Sequence, residues 1–381
     1  MASTSETAAH RLLECCLTEE KWPPALLEDI RREVETLEGS RAFFAIVVER
    51  LADLFEPRLT SVYARMFSEL IGRKELAARY ERIRHPRVCK QNPSKVFVLS
   101  RVTLGADVAV TSVMLDAAKC RFPNAAIFYV GARKGWELFA DDPRVLLKEV
   151  SYGRTGRLAD RLAALPDLHD PDSIVIDPDS RLTQLGLLPV CDDESYYFFD
   201  SRAYGGESNA TLTELAVRWC AETFEVADAR PYIAPAPSTE PAARVTVSLG
   251  VGENPAKRLK DPFERELLAS LPLNTLVDQG GSDDEARRVM AALKPGQRTF
   301  HGSFARFAAA IRESGFYVGY DSAGGHVASV CGVPLISIFA GPVCDRMFER
   351  WKPTGTVIRA DALTPTQVLA RTVATLKQFD L

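Results

Sequence analysis

The sequence predicts an α/β protein built from two successive halves, each a parallel sheet covered by helices on both faces, behind a helical N-terminal segment. Three observations carry this expectation. The 381 residues exceed what one hydrophobic core usually organises. From Lys95 onward, short β-branched runs alternate with helical stretches to the C-terminus. That alternation is interrupted by the stretch from Arg230 to Ala242, whose four prolines can continue neither a helix nor a central strand.

The elements follow in order. Between about 24 and 85 apolar residues recur at three- and four-residue steps: Leu26, Leu27, Ile30, Val34 and Leu37, then Phe43, Phe44, Val47, Val48, Leu51 and Leu54, then Val62, Met66, Phe67 and Leu70. Gly39, Pro57 and Gly72 punctuate them, so residues 1–90 read as a helical prefix of three or four short helices. Its stripes are expected to pack on the adjacent domain or on a second copy of the chain. In 91–235, strands are expected near 96–100, 126–130, 146–150, 173–177 and 196–199, with helices near 108–121, 155–165 and 209–223. In 243–381, strands are expected near 244–250, 274–278, 298–300, 316–320, 334–339 and 355–358. Helices are expected there near 261–271, 283–293, 303–313, 324–331 and 364–378. Ligands of such halves bind at the carboxyl ends of the strands.

Composition excludes several classes. A 46% hydrophobic and 26% charged chain is neither disordered nor fibrous, and a net charge of -4 gives no general attraction to nucleic acid. The first residues lack a basic and apolar leader, and no run reaches the length of a membrane span, so a cytoplasmic protein is expected, with the inner face of a membrane as a second place. Eight cysteines with no C-x-x-C pair read as free thiols rather than a zinc site. No P-loop signature occurs, and no G-x-G-x-x-G follows the first strand.

Three segments can carry chemistry. The first is Gly319-Tyr-Asp321-Ser322-Ala323-Gly324-Gly325-His326, between a strand and a helix. Small residues at a helix N-terminus offer unpaired amides and a positive dipole end to a phosphate. The duller account is that Asp321 or Ser322 simply caps the helix. The second is the loop from Gly250 to Arg258, which sets Lys257 and Arg258 where they can neutralise a leaving diphosphate, although surface Lys-Arg pairs are common. The third is Ser100 to Val108 after the first strand, where Asp107 can take a proton from an acceptor hydroxyl or can merely cap the next helix. Asp284 follows another strand as a carboxylate for ribose hydroxyls, and Gly341 allows a loop to pass close to a base or ribose.

In this order and spacing, the segments resemble the family 9 glycosyltransferases, the ADP-heptose:lipopolysaccharide heptosyltransferase family. The matches are Val96-Phe-Val-Leu-Ser-Arg-Val-Thr-Leu-Gly-Ala-Asp-Val108 with Arg121-Phe-Pro, the Lys257-Arg258 step, and Asp321-Ser-Ala-Gly-Gly-His326 followed by Gly332-Val-Pro and Phe339-Ala-Gly-Pro342. They cover roughly 95 to 381. Against the family pattern Ala106 is inserted before Asp107, Ala323 replaces a glycine, Ala340 is an extra residue and Leu259 stands for an aromatic; the prefix lies outside it.

The resemblance implies a GT-B architecture, with two Rossmann-like domains facing a cleft, the second binding a nucleoside diphosphate-sugar and the first an acceptor. It implies an inverting, metal-independent transfer without a cofactor. Asp107 would be the general base, Lys257 a phosphate ligand and Asp321, Ser322 and Ala323 the diphosphate loop, with Arg258, Gly324, His326 and Gly341 alongside. Asp284 would contact the ribose, with the adjacent Glu285 as the other register. An ADP-sugar such as ADP-heptose is the implied donor, and a glycan, glycolipid or protein the acceptor. A sugar-nucleotide epimerase of the same two-domain fold and a non-catalytic sugar-nucleotide-binding assembly module are the alternatives.

Overall fold

In the computed structural model the described residues are 4–252 and 254–381; residues 1–3 of the expected prefix and Glu253 of the expected phosphate loop lie outside them. The β-branched runs become eleven strands among those residues. The first sheet contains β1 (Lys95–Leu99), β2 (Ala126–Gly131), β3 (Val145–Glu149), β4 (Ser173–Asp177) and β5 (Tyr196–Phe198), all parallel, in the order β3-β2-β1-β4-β5. The second contains β6 (Val245–Ser248), β7 (Thr275–Asp278), β8 (Arg298–Phe300), β9 (Tyr317–Tyr320), β10 (Leu335–Phe339) and β11 (Thr356–Arg359). It too is parallel, in the order β11-β10-β9-β6-β7-β8. Counted from its own first strand, that is the 3-2-1-4-5-6 order of a Rossmann sheet. Strand order therefore reverses once in each sheet, at β1/β4 and at β6/β9, and the reversal opens a crevice at the carboxyl ends.

The chain forms two compact units. One comprises Met1–Thr103, Val110–Arg133 and Arg144–Arg230; the other comprises Leu104–Ala109, Lys134–Pro143 and Pro231–Leu381. The prefix is part of the first unit. Its helices are Thr4–Thr18, Pro24–Glu33, Leu37–Ala42, Glu49–Asp53, Pro57–Leu70 and Glu75–Ile83, with a π-helical turn at Phe43–Val48. Prolines start two of them, where the missing N–H costs no helical bond. Leu26, Ile30, Phe43, Val47, Leu59, Tyr63, Phe67 and Tyr80 share one buried cluster with Phe97, Val175, Leu185 and Phe198 of the sheet half. Polar contacts close the seam: Tyr63 Oη donates to the Gln184 carbonyl at 3.0 Å, and Arg79 Nε pairs with Asp193 at 2.6 Å. The apolar stripes are thus spent inside this unit. Leu37 departs from its expected stripe and is 61% exposed, because the helix stops before Thr36 and a new one begins.

The expected helix near 108–121 starts earlier and is not regular. It runs as Leu104–Ala106, a π-helical turn Asp107–Thr111, and an α-helix Ser112–Arg121. A π turn holds one residue more than the α turn it replaces, and Ala106 is the residue by which the chain exceeds the Leu-Gly-Asp-Val pattern. Among the described residues no helix is long and apolar enough to cross a membrane.

Candidate functional site

The reversal point of the second sheet collects the loops that follow β6 and β9. Strand register brings Ser248 beside Gly319. After β9 the chain turns at Asp321-Ser322 and enters the helix Ala323–Val330. Asp321 N–H is used by the Ile338 carbonyl at 2.9 Å, and Gly325 N–H by the Ser322 carbonyl at 3.2 Å. Ser322 makes no side-chain cap. The duller account of this turn is therefore not what the fold shows, and the first-turn amides of Ala323 and Gly324 are left for an acceptor from outside the helix.

Lys257 reaches this turn from the β6 loop, and its Nζ lies 2.7 Å from Asp321 Oδ2, with the two side chains 25% and 13% exposed. The Asp321 side chain therefore holds the cation that faces the turn. A carboxylate has no hydrogen to give a phosphate, so the placement of Asp321 suits it to hold Lys257 and not to contact an anion itself. Arg258 differs from the expectation more clearly. Its guanidinium ion-pairs with Glu264 and lies 3.8 Å from Glu285, while Tyr320 Oη donates to Glu264 at 3.2 Å. It is a strut of the loop, committed to two acids. Burial pushes the Glu264 carboxyl up, and Arg258 draws it back.

Of the two acids in question after β7, Glu285 is the one in the site. Its carboxylate accepts from Val251 N–H at 3.0 Å and Gly281 N–H at 2.9 Å, tying the β6 and β7 loops together. Asp284 does not reach them. Its side chain is 65% exposed and engaged by Arg288 at 3.0 Å and Arg287 at 3.6 Å on its own helix. One residue along a helix is a turn of about 100°, which sends Asp284 to solvent. Gly341 is also reassigned. With φ at +89°, and with a Cβ that would sit 2.6 Å from the Ala256 carbonyl oxygen, it lets the β10 loop lie against the Ala256-Lys257 backbone. The close approach it permits is to the chain itself.

His326 is buried on the same helix, edge-on to Trp351 with ring centroids 5.9 Å apart. Burial pushes its pKa down, Asp321 raises it and Lys257 lowers it, so the ring is a neutral imidazole near pH 7. The Leu104–Ala109 turn belongs to this unit and packs on the helix start: a methyl at Gly105 would lie 3.2 Å from His326 Cδ2 and 3.3 Å from Ala323 Cα. Asp107, the expected general base, is 1% exposed. It opens a run, Asp107 to Thr111, in which every residue is buried, so the turn is covered on all sides.

In the first unit the same reversal point, β1/β4, is a buried polar cluster. Val102 holds φ at +70°, a conformation β-branched residues avoid, with its N–H on Ser100 Oγ at 2.8 Å. Asp177 accepts from Thr183 Oγ1 at 2.6 Å and Ser180 N–H at 2.6 Å, and Tyr196 Oη also donates to it. Burial nonetheless raises its pKa to about 6. Arg202 bonds Asp179 at 3.0 Å, and Arg84 of the prefix lies 3.1 Å from Asp200. Among the described residues no group of three His, Cys, Asp or Glu side chains is placed to hold a metal ion.

No protein-family model and no curated protein matches the sequence. Solved structures do match. The E. coli heptosyltransferase WaaC with ADP-2-deoxy-2-fluoro heptose is 13% identical at TM-score 0.53, over 75% of this chain and all of that one. A family 9 glycosyltransferase from Veillonella parvula is 16% identical at TM-score 0.52, over 75% of this chain and 98% of that one. E. coli ADP-heptose lps heptosyltransferase II is 17% identical at TM-score 0.50, over 75% of this chain and all of that one. What these three share with the present chain is the fold.

Proposed function

We propose that this chain is a glycosyltransferase that moves a sugar from a nucleoside diphosphate-sugar to a hydroxyl of a glycan, glycolipid or protein. The observation that carries the reading is the uncapped helix start at Ser322-Ala323 with Lys257 held over it by Asp321 at a strand-order reversal. A diphosphate seated there meets first-turn amides, the positive end of the helix and one ammonium, all of which favour the charge that grows as the sugar leaves. The reaction we infer is an inverting displacement that uses no metal. The acceptor oxygen bonds the anomeric carbon, the bond from that carbon to the diphosphate oxygen breaks with its electron pair on the diphosphate, and the acceptor proton passes to Asp107. Since Asp107 is buried, the 104–109 turn must shift for this step; catalytic hydrogen bonds commonly tighten only once substrate is bound. An ADP-sugar is the favoured donor, because a structural neighbour was solved with an ADP-heptose analogue.

The test is thermal denaturation with ADP-, UDP-, GDP- and CDP-sugars. A ligand at 100 times its Kd stabilises by about 2.7 kcal/mol, and the matching base raises the midpoint most. A midpoint unmoved by all four overturns the reading. With the matching donor and no acceptor, the expected product is none; an isomerised sugar nucleotide would identify an epimerase, and binding without transfer to any acceptor would identify a binding module.

A further inference from the structure

The turn that starts the helix Ala323–Val330 is undercut by a side chain that the transfer chemistry leaves idle. Tyr317 on β9 is fully buried, and its phenol runs directly beneath the turn. A methyl at Gly319 would sit 2.4 Å from Tyr317 Oη, and one at Gly324 only 2.3 Å from it. At Gly324 the phenol alone leaves no room for a side chain, and at Gly319 the Ser248 carbonyl oxygen, 2.7 Å from such a methyl, excludes one as well, which explains both glycines without any appeal to ligand contact. Two hydroxyl oxygens meet in this space. Tyr317 Oη and Ser322 Oγ are both sealed from solvent and neither makes a hydrogen bond of good geometry. The adjoining Ser248 and Ser322 hydroxyls offset part of the rise that burial imposes on the phenol, which stays protonated. Ser248 gives its proton to Asp278 at 3.3 Å, so of the two serines only Ser322 keeps a proton for a ligand.

Buried hydroxyls without partners each cost about 1–3 kcal/mol, and native proteins keep few of them. A serine hydroxyl that donates to an anion above it still has lone pairs to receive a proton donor from below. We propose that Tyr317 is a positioning residue of the phosphate seat: when Ser322 Oγ–H turns toward a phosphate oxygen of a bound nucleoside diphosphate, Tyr317 O–H donates to Ser322 Oγ and fixes it in that orientation. The proposal rests on the donor-site reading above. No proton changes owner; two hydrogen bonds absent from the empty site form in series, and each polarises the other.

The experiment compares wild type, Tyr317→Phe, Ser322→Ala and the double variant. It measures the ligand-free midpoint of each and its affinity for whichever of ADP, UDP, GDP and CDP binds wild type tightest. Tyr317→Phe removes an unmatched hydroxyl, so its ligand-free midpoint stays level or rises, while affinity falls about 3- to 10-fold. Because Tyr317 acts through Ser322, the double variant binds within about twofold of Ser322→Ala alone. Unchanged affinity in Tyr317→Phe, losses that multiply in the double variant, or a ligand-free midpoint lowered in Tyr317→Phe would each overturn the positioning role and leave the donor site standing. A wild type that binds none of the four nucleotides removes both.

Discussion

Lys257→Met separates the work of the cation at the helix start from the work of its partner. Lys257 Nζ and Asp321 Oδ2 are 2.7 Å apart, and both side chains are mostly covered. At an effective dielectric near 20, two unit charges at that distance attract by roughly 6 kcal/mol, most of which desolvation and side-chain ordering take back. A net of about 1–2 kcal/mol remains, between the values for exposed and buried pairs. The ligand-free midpoint should then fall by about 2–8 °C. Nucleotide binding should fall further. A charge-assisted hydrogen bond from Lys257 to the diphosphate is worth about 1.5–3 kcal/mol, or roughly 10- to 100-fold in Kd. The orphaned Asp321 carboxylate then repels the ligand, so adding Asp321→Asn to Lys257→Met should restore part of the affinity, whereas Asp321→Asn alone, which keeps an oxygen to accept from Lys257, should change it little. Calorimetry with the matching nucleoside diphosphate at low and high salt reads all of this, and the Lys257→Met variant should lose part of the salt dependence. Binding by Lys257→Met within twofold of wild type at both salts would refute the argument, as would a failure of Asp321→Asn to help in that background.

Asp107→Asn should lower turnover by about 100- to 10,000-fold with nucleotide affinity unchanged, and equal turnover removes Asp107 from the mechanism. The Asp177 carboxyl has its folded pKa raised from 3.8 to about 6. Its contribution to stability is therefore fully present below pH 3.8 and lost as pH rises through 6. The midpoint difference between wild type and Asp177→Asn should thus shift in favour of wild type from pH 7.5 to pH 5; a difference that does not move with pH refutes this. Removing residues 1–85 should give an insoluble or molten chain, because Tyr63, Phe67 and Tyr80 complete the core around Phe198. A cooperative unfolding transition in the shortened chain would show the core to be complete without them.

The strands were legible because each is a compact run of β-formers bounded by turn residues: β8 was expected at 298–300 and is Arg298–Phe300. The helix Thr4–Thr18 falls within the expected helical prefix but ahead of its readable periodicity, since its polar residues and Cys15-Cys16 blur the apolar spacing that reveals Pro57–Leu70. Asp345–Trp351 was likewise missed, being short and charged. In the site, the helix-start motif was readable as local sequence. The pairing of Lys257 with Asp321 was not, because 64 residues separate them and only the parallel crossovers bring them together. Glu285 and Asp284 look alike in sequence, and helical phase alone separates their roles. Tyr317 carried no signal at all: an aromatic in an apolar strand reads as core, and only Gly319 and Gly324 hint at what lies under the turn.

The π turn at Asp107–Thr111 has a consequence for how this chain tolerates length changes. In an unbroken α-helix, one surplus residue rotates everything after it by about 100°, which would turn the buried Val113, Met114, Ala117 and Ala118 out of the places they fill. A wide turn is able to absorb such a surplus, and one stands immediately before Ser112–Arg121. Deleting Ala106 should relax the coil to ordinary α geometry with the downstream face intact, whereas deleting a residue beyond Ser112, where no slack exists, should strip the sheet of its cover.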